Sequence, residues 1–483
     1  MTSHESSGTA AAEEFDVVVI GGGPVGENVA QYVLESGADH SSEPVSVALV
    51  EAELLGGECS YWACIPSKVL LRPLAMAATA ADQGGSLAGT RLDRDALLAR
   101  RDTWVSDYHD DGQVSWAESA GITVVRGHAR LAGERRVTVA GADGPRELHA
   151  RHTVVIASGS VPIVPDPFVA AHPWGSRDAT GMREVPDSIA IVGGGVVACE
   201  AATWLAGLGS RVTMLVRGDR LLTSTEPFAG DAVAASLRGA GVEIRFDTSA
   251  TGCRRPDVRD TGVGRVHGGS VTLETSDGEL VADELLVATG RRPRLDDLGL
   301  DSVGLDVDAV LTGRMPGWLQ AVGDTSGEPP LTHWGKYRAR VVGERIGLAV
   351  RGLTPPPAPP SAPVPQVVFT EPQVAAVGRD EAGAREDGID VVTTRVPFDG
   401  AAGGALQRDH VSGTAQLVVD RANGTLVGAT FVGPEAGELL HAATIAITGE
   451  LPVSVLRHAV PAFPTASELW LRLVESLPAE LRH

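Results

Sequence analysis

The sequence predicts an α/β protein with two doubly wound, Rossmann-like domains and a third, α+β domain at the C-terminus. Two observations predict the doubly wound domains: an apolar run, a glycine-rich turn and a helical stretch begin at Asp16, and the same order returns from Ser188. The third observation is the proline-rich segment 351–365, after which strand-like and helical runs are mixed. A length of 483 residues agrees with three domains of about 150 residues each.

The composition argues against several classes of partner. Acidic residues outnumber basic ones by 62 to 40, the net charge is −22 and aromatic residues make up 4%, so no nucleic-acid partner is expected. No run approaches the ~20 apolar residues of a membrane helix, so no membrane partner is expected. Residues 1–14 are polar and acidic, which predicts a disordered tail and no signal peptide. Four Cys are too few for a secreted disulfide scaffold, so we expect a cytoplasmic protein.

The first domain begins with a βαβ unit. The apolar run 16–20 is typical of a buried parallel strand, the turn 21–26 is rich in glycine, and a helical stretch continues to about Ser36. A second apolar run follows at 45–50. The polar segment 38–44 between helix and strand is interpreted as a loop insertion.

The turn of this unit carries the dinucleotide-binding pattern Gly21-x-Gly23-x-x-Gly26. The first glycine permits the tight turn, the second lets the backbone approach a pyrophosphate, and the third lets helix and strand pack closely. The free N–H groups at the helix N-terminus would bind the anion. Glu51, at the end of the next strand, is suited to ribose hydroxyls. The sequence therefore predicts a bound dinucleotide at this turn.

A second pattern of this kind is Gly193-x-Gly195-x-x-Ala198. The strand that follows its helix ends without an acid, and Arg217 and Arg220 come directly after it. An acid would repel a 2′-phosphate, whereas Arg attracts one. This turn therefore predicts NADPH binding, with NADH as the less favoured choice.

Cys59 and Cys64 stand on a glycine-led loop that enters a helix, a spacing that can reach disulfide distance. In a cytosolic protein such a pair is typical of redox or metal chemistry. A metal site needs further ligands, which no second Cys cluster supplies, so no metal is expected. Lys68 is one of only two Lys in the chain and lies four residues past Cys64. On the same helical face, its cation would favour a nearby thiolate.

The segment beyond the proline-rich linker predicts the third domain. Strand-like runs occur at 414–419 and 425–432, and helical runs at 435–448 and 467–476. This mixture of strands and helices is typical of an α+β domain.

These residues together resemble the pyridine nucleotide–disulfide oxidoreductases, the family of glutathione reductase, dihydrolipoyl dehydrogenase and mercuric reductase. The resemblance runs from about residue 15 to the end. The loop 56–68 resembles the family's GG-x-C-x4-C-[IV]-P-[ST]-K, and 287–293 resembles its ATGRxPN. Segment 319–324 resembles its second FAD motif, and 156–160 resembles the exit of the chain from the FAD domain.

The resemblance implies a set of FAD contacts, namely Gly21, Gly23, Gly26, Glu51, Lys68, Gly159, Gly290 and Asp324. It likewise implies a set of NADPH contacts, namely Gly193, Gly195, Arg217 and Arg220. Cys64 would contact the flavin, and Cys59 would attack the substrate. Lys68 would pair with Glu200 beside the flavin.

Two departures from the family pattern concern proton transfer and the substrate channel. In the family, a C-terminal His-Pro-Thr-x-x-Glu supplies an acid/base His from the partner subunit. Here Phe463 stands at the His position and Glu468 at the Glu position. Phe carries no proton, and general acid–base catalysis contributes roughly 10²–10⁴ in rate. His458 is either a substitute or an ordinary surface residue. Tyr61 and Trp62, between the two cysteines, would narrow or re-line the channel.

The resemblance implies an NADPH-linked flavoenzyme that reduces a disulfide or related small sulfur substrate through its cysteine pair. One alternative is a flavin enzyme acting on a quinone, a metal ion or a thioether; 2-ketopropyl-coenzyme M oxidoreductase/carboxylase also has Phe at the His position. Another is a dihydrolipoyl dehydrogenase-like activity. No Cys follows Cys253, which argues against mercuric reductase with its C-terminal Cys pair. The intact motifs argue against a non-enzymatic role such as a redox sensor.

A homodimer is also implied, because in the family the last domain of one subunit completes the active site of the other. The predicted domain organisation is a disordered tail at 1–14, FAD-binding segments at 15–160 and 288–352, an NAD(P)H-binding domain at 161–287, a proline-rich linker at 353–365 and a C-terminal dimerisation domain at 366–483.

Overall fold

The computed structural model describes residues 12–40, 44–85, 92–357 and 362–483. Parts of three predicted segments lie outside the described residues: 1–11 of the tail, 41–43 of the loop insertion and 358–361 of the proline-rich linker. Within the four described ranges, no helix is long and apolar enough to cross a membrane.

The strands, in chain order, are β1 (Glu13–Ile20), β2 (Val47–Glu51), β3 (Ile122–Arg126), β4 (His128–Leu131), β5 (Arg136–Gly141), β6 (Gly144–Ile156), β7 (Ser160–Pro162), β8 (Ser188–Val192), β9 (Arg211–Leu215), β10 (Glu243–Arg245), β11 (Ala250–Arg254), β12 (Val271–Thr275), β13 (Gly278–Ala282), β14 (Glu284–Val287), β15 (Arg291–Pro293), β16 (Leu319–Ala321), β17 (Gln366–Val368), β18 (Gln373–Gly378), β19 (Val391–Pro397), β20 (Thr414–Asp420) and β21 (Thr425–Gly433).

The α-helices, in chain order, are α1 (Pro24–Glu35), α2 (Gly57–Tyr61), α3 (Cys64–Ala81), α4 (Arg94–Trp104), α5 (Asp111–Ser119), α6 (Asp166–Val169), α7 (Ser176–Thr180), α8 (Val196–Gly207), α9 (Pro227–Gly239), α10 (Val307–Leu311), α11 (Thr332–Val350), α12 (Glu381–Glu386), α13 (Ala402–Ala405), α14 (Leu440–Thr448), α15 (Val453–Leu456), α16 (Glu468–Glu475) and α17 (Ala479–Arg482).

Strand β1 illustrates how the apolar runs become buried strands. It pairs in parallel with both β2 and β6, and its residues 17–20 are buried, as expected for a central strand of a parallel sheet. The strand begins at Glu13, inside the segment 1–14 predicted as a tail. It does so because Glu13 pairs in register with Leu148 of β6 and forms an ion pair with Arg146 at 2.7 Å.

One compact unit consists of the segments Met1–Ile65, Asp102–Val161 and Arg291–Pro360. Its sheet has the strand order β3-β2-β1-β6-β5-β4, and β16 also pairs with β6. Strands β3, β2, β1, β6 and β16 are parallel, whereas β4 and β5 continue from β6 in antiparallel fashion. The carboxyl ends of the parallel strands therefore meet at one edge of the sheet, where ligands bind in doubly wound folds.

The second compact unit consists of Pro66–Arg101, Pro162–Gly290 and Ser361–His483. It contains a parallel sheet of order β10-β9-β8-β14, an antiparallel sheet β11-β12-β13 and a five-stranded antiparallel sheet β17-β18-β21-β20-β19. Buried side chains from the parallel-sheet layer and from β17, β18 and β21 share one core. The predicted fold class, with two doubly wound sheets and an α+β C-terminal part, is confirmed.

Candidate active site

The first glycine turn, between β1 and α1, has the geometry that the pattern predicts. Gly21 has a φ of +105°, and a Cβ there would lie 2.3 Å from the carbonyl oxygen of Ala157. A Cβ on Gly26 would lie 1.9 Å from the carbonyl oxygen of Gly21. These two glycines are therefore required by the packing of the chain itself. Gly23 is different, because a Cβ there would meet only the Cα of Gly57, at 3.9 Å.

The space around Gly23 fits an approaching pyrophosphate. Gly23 is the N-cap of α1 and offers no side chain to the free N–H groups of the first turn. Glu51, the last residue of β2, accepts a hydrogen bond from the Gly22 amide through Oε2 at 2.7 Å. It accepts a second one from the Glu53 amide through Oε1 at 2.7 Å. Each carboxylate oxygen keeps a lone pair with which a ribose hydroxyl could bond.

The predicted redox loop follows β2 in the same unit. Cys59, in α2, and Cys64, the first residue of α3, form a disulfide with Cα atoms 4.7 Å apart. Gly56 donates from its amide to the Gly22 carbonyl oxygen at 2.7 Å. A Cβ on Gly57 would lie 2.8 Å from the Cα of Gly23. The loop is therefore attached directly to the dinucleotide-binding turn.

Leu55, at the start of the loop, is held from both sides. Its amide donates to Asp110 Oδ2 at 2.6 Å, and its carbonyl oxygen accepts from the Tyr61 hydroxyl at 3.1 Å. Asp110 also receives a hydrogen bond from Arg126 at 2.5 Å. Burial raises the pKa of Tyr61 to about 12, and the nearby Asp110 and Glu27 act in the same direction. Tyr61 is thus a donor at physiological pH and a structural part of the loop.

A third segment reaches the disulfide from the start of α11. The hydroxyl of Thr332 lies 3.3 Å from the sulfur of Cys64. Thr332 and Asp110 belong to no pattern that the sequence predicts as functional. The two residues lie far from the cysteines in the chain, and their side chains occur in many other contexts.

Asp324, expected to contact FAD, lies just beyond the carboxyl end of β16. Asp324 Oδ2 accepts a hydrogen bond from the Ser160 hydroxyl at 2.5 Å, and the Ser160 hydroxyl oxygen accepts one from the Nε of Arg291 at 2.8 Å. Because β16 pairs in parallel with β6, this cluster belongs to the same sheet edge as the first glycine turn. Gly159, with a φ of +74°, lies in the segment that leaves β6.

In the second unit, Lys68 and Glu200 form the expected ion pair. The Nζ of Lys68 lies 2.9 and 3.1 Å from the two carboxylate oxygens of the buried Glu200. Phe369, just after β17, contacts both members. Its amide donates to Glu200 Oε1 at 2.9 Å, and its ring centroid lies 4.7 Å from the Lys68 ammonium. The sequence does not predict a role for Phe369, because a Phe in an apolar run carries no functional signal.

The second glycine turn joins β8 to α8 in this unit. Gly193 has a φ of +134°, and a Cβ there would lie 2.4 Å from the carbonyl oxygen of Ala288. A Cβ on Gly195, the N-cap of α8, would meet nothing within 4 Å. As at Gly23, the chain leaves room beside a free helix N-terminus, which fits a second dinucleotide.

Two arginines follow β9, the strand after this turn. Arg217 is exposed. Arg220 donates to the Thr223 carbonyl oxygen at 3.0 Å. Gly290, with a φ of +130°, lies after β14, and its carbonyl oxygen accepts from the Ile163 amide at 3.0 Å.

The C-terminal residues carry the expected departures. The Phe463 side chain is 76% exposed. Glu468 begins α16 and accepts from the Gly403 amide at 3.2 Å. His458 is exposed and follows the short helix α15. None of these three residues is buried among the groups described above, so their roles remain predictions.

The sequence matches two family models over most of its length. Residues 15–333 match the pyridine nucleotide-disulphide oxidoreductase model, and residues 364–474 match the dimerisation domain of the same family.

Two curated relatives span nearly the whole chain. A mercuric reductase from Acidithiobacillus ferrooxidans is 32% identical over 98% of this chain and 83% of its own length. A dihydrolipoyl dehydrogenase from Haloferax volcanii is 31% identical over 97% of each chain.

Solved structures share the fold. The HOCl-induced flavoprotein disulfide reductase RclA from Escherichia coli, as its Cu(II) complex, superposes with a TM-score of 0.81 at 23% identity, over 96% of this chain and all of that one. LpdA from Mycobacterium tuberculosis superposes with a TM-score of 0.80 at 22% identity, over 97% of this chain and all of that one.

Proposed function

Because the chain belongs to the pyridine nucleotide-disulphide oxidoreductase family, we propose that it uses NADPH and FAD to reduce a disulfide or related sulfur substrate through Cys59 and Cys64. The observation that carries the proposal is the hydrogen bond from the Gly56 amide to the Gly22 carbonyl oxygen, 2.7 Å long. It joins the disulfide loop to the first dinucleotide turn within one compact unit.

The family implies FAD and a pyridine nucleotide as cofactors. The residues of the first unit that would hold FAD are Gly21, Gly23, Gly26, Glu51, Gly159 and Asp324. Lys68 and Gly290, which belong to the second unit, are assigned to FAD by resemblance alone. Support comes from the open space at Gly23, from the uncapped start of α1 and from the position of Glu51 at the end of β2. When bound, FAD supplies a carrier that accepts a hydride from a nicotinamide and hands on two electrons.

The second turn would hold the pyridine nucleotide. Gly193 and Gly195 would lie against its pyrophosphate, and the free amides of α8 would bind the anion. Arg217 is exposed beyond the end of β9, where an acid would exclude a 2′-phosphate. This charge pattern favours NADPH over NADH.

Cys59 would be the thiol that attacks the substrate, and Cys64 would be the thiol that contacts the flavin. Thiol–disulfide exchange requires a thiolate attacker and proceeds faster when the leaving thiol is acidic. Phe463 offers no proton to a departing thiolate. The chain is therefore suited to substrates whose leaving group is acidic or brings its own proton.

A homodimer in the cytoplasm completes the proposal. Residues 364–474 match the family's dimerisation domain. This region exposes several large apolar side chains: Ile445 (53%), Val455 (53%), Val460 (90%) and Phe463 (76%). Exposed apolar groups of this kind are typical of a surface that a second subunit covers.

An anaerobic NADPH titration of the FAD-loaded protein tests the proposal. Wild type should take up two electron pairs and gain two thiols, measured with a thiol reagent. Cys59→Ser should take up one pair and lose turnover of disulfides, while its flavin is still reduced. Cys253→Ser, at a free cysteine outside the loop, is the matched control and should behave as wild type. Full disulfide turnover by Cys59→Ser would refute the proposal.

A second candidate is direct transfer of electrons from flavin to a quinone, a metal ion or a thioether. Phe463 favours it, because a direct acceptor needs no proton from the missing His. Substrate screening should include quinones, mercuric ion, and lipoamide with NADH, because curated relatives are mercuric reductases and dihydrolipoyl dehydrogenases. Quinone turnover that survives the double change Cys59→Ser and Cys64→Ser would favour this candidate over the first.

A further inference from the structure

Three consecutive residues beside the disulfide loop have a left-handed backbone. Ser106, Asp107 and Tyr108 have φ angles of +51°, +50° and +61°, and none of them is a glycine. A side chain makes this conformation costly, above all for a bulky residue such as Tyr. Strain of this kind persists only where the surrounding structure holds the segment, and it is concentrated at sites that contact ligands. The segment therefore holds Tyr108 in a position that the relaxed chain would not favour.

Contacts with the disulfide loop hold this strained segment in place. Asp110, two residues after Tyr108, accepts the hydrogen bond from the Leu55 amide at 2.6 Å. The hydroxyl of Tyr61 lies 3.5 Å from the carbonyl oxygen of His109. All of these residues belong to the first compact unit. The strained segment is thus fixed to the same loop that carries the two cysteines.

The segment and the loop together form an aromatic surface, made by Trp62 and Tyr108 with Tyr61 behind them. The ring of Trp62 lies 6.0 Å from that of Tyr108, with 32° between the planes, and 5.7 Å from that of Tyr61. Tyr61 is buried, whereas the other two side chains are half-buried and keep part of their surface accessible. Trp62 stands between Cys59 and Cys64 in the chain. The aromatic surface therefore begins beside the disulfide.

The charges around the aromatic surface disfavour an anion. Burial raises the pKa of the Tyr61 hydroxyl, and the nearby Asp110 and Glu27 raise it further. Arg126 opposes them. The chain as a whole carries a net charge of −22. A ring that lies on this surface should therefore carry no negative charge.

A second requirement comes from the position of the missing proton donor. Phe463 offers no proton to a departing thiolate, so substrates with an acidic leaving thiol are favoured. A ring attached directly to the sulfur delocalises the charge of the thiolate and makes the thiol more acidic than an alkyl thiol. An aromatic thiol therefore meets both requirements: it brings a ring for the aromatic surface, and it leaves without protonation.

We propose that Trp62 and Tyr108 form a substrate-binding surface beside the disulfide, and that the substrates are disulfides of uncharged aromatic thiols. The inference rests on the proposed function and adds the class of substrate to it. The ring nearest the attacked sulfur packs on the aromatic surface in an offset or edge-to-face arrangement.

The exchange needs no proton donor at either step. A Cys59 thiolate attacks one sulfur of the aromatic disulfide, a Cys59–substrate disulfide forms, and one aromatic thiolate leaves. A Cys64 thiolate then attacks the Cys59 sulfur, which releases the second aromatic thiolate and re-forms the Cys59–Cys64 disulfide. The two electrons come from the cysteine pair, and the two protons of its thiols pass to water. Reduction by NADPH, under the proposed function, restores the pair.

The test compares three neutral disulfides on the FAD-loaded protein, with NADPH consumption as the readout. Dipyridyl disulfide has aromatic rings and an acidic leaving thiol, bis(trifluoroethyl) disulfide has an acidic leaving thiol and no ring, and bis(hydroxyethyl) disulfide has neither. Each kcat/KM is divided by the rate constant with which dithiothreitol reduces the same compound, which removes differences in intrinsic reactivity. In wild type, the normalised value for the dipyridyl compound should exceed that for the trifluoroethyl compound by about 10-fold.

Variants of Trp62 test the aromatic surface itself. Trp62→Leu should lower this 10-fold preference to about 1, whereas Trp62→Phe, which keeps a ring, should retain most of it. Trp318→Leu is the matched control and should keep the wild-type preference. Trp318 is a half-buried Trp of the same unit, directly before β16, at the edge of the parallel sheet opposite the disulfide loop. Circular dichroism and the visible flavin spectrum report whether each variant is folded.

The wild type alone decides the case in which Trp62→Leu does not fold. Equal normalised values for the dipyridyl and trifluoroethyl compounds in wild type would overturn the inference, and so would equal preferences in the Leu and Phe variants. Turnover of the two compounds without a ring would leave the proposed function standing in either case. Absence of NADPH consumption with all three disulfides would refute the proposed function and the inference with it.

Discussion

The free energy of unfolding of the wild type should fall between pH 6 and pH 8 because of Glu27, and Glu27→Gln should abolish this fall. Glu27 lies in the first turn of α1, and its buried Oε1 has no hydrogen-bond partner among the described residues. Burial raises the pKa of this carboxyl to about 7, Glu51 adds to the rise, and Lys336 opposes it. An ordinary Glu titrates near 4.5.

The size of the effect follows from that difference in pKa. Below pH 4.5 the carboxyl is protonated in both the folded and the unfolded chain, so its ionisation does not reduce the free energy of unfolding. Between pH 4.5 and pH 7 the folded protein keeps a proton that the unfolded chain has released, so stability falls as the pH rises, and the loss levels off above pH 7 once the folded carboxyl is also ionised. A difference of about 2.5 in pKa corresponds to about 3 kcal/mol above pH 7, of which about 1.4 kcal/mol develops between pH 6 and pH 8.

Urea unfolding of the FAD-loaded protein at pH 6 and pH 8 measures this loss. Wild type should lose about 1.4 kcal/mol more than Glu27→Gln over this interval. Glu35→Gln, at an exposed Glu of the same helix, should follow wild type. Lys336→Met should increase the loss, because Lys336 favours the ionised form. The same pH dependence in wild type and Glu27→Gln would refute the reasoning.

Three further changes test the site. Phe369→Leu removes the ring over Lys68 but keeps the hydrogen bond from the residue 369 amide to Glu200, so the rate of flavin reduction by NADPH should fall by about 2- to 30-fold. Phe369→Tyr keeps a ring and should reduce the flavin at nearly the wild-type rate. Equal rates in the Leu and Tyr variants would contradict a role for the ring. Arg217→Ala should raise KM for NADPH by about 10-fold or more and leave KM for NADH unchanged, and a parallel rise in both would contradict recognition of the 2′-phosphate. Phe463→His should raise turnover of an unactivated disulfide by up to about 10²-fold and introduce a pH dependence near 6.5, and an unaltered pH profile would mean that this position does not reach the reacting sulfur.

The parts of the site that the sequence predicts well are those whose residues stand together in one short segment. Gly21 and Gly193 each begin a short glycine pattern, although the carbonyl oxygens that exclude a Cβ there belong to the distant Ala157 and Ala288. The Cys59–Cys64 spacing is equally local. The pairing of Lys68 with Glu200 came from family resemblance, because no local rule links two residues so far apart in the chain.

The parts that the sequence does not predict depend on long-range contacts of ordinary residues. Phe369 acts partly through its backbone amide, which every residue except Pro possesses. Thr332 and Asp110 reach the redox loop from other segments, and neither stands in a motif. Glu27 reads as a normal solvent-facing residue in the first turn of a helix, and only the packing around it makes its pKa unusual.

The close approach of Gly57 to Gly23 has a consequence for how such a chain can diversify. No side chain separates the two backbones, since a single added methyl at residue 57 would lie 2.8 Å from the Cα of Gly23. A side chain at residue 57 would therefore require the cofactor turn at Gly23 to move as well. We therefore expect changes in substrate specificity to arise between the cysteines, where the Tyr61 hydroxyl donates to the Leu55 carbonyl oxygen and the Trp62 ring lies 6.0 Å from the ring of Tyr108.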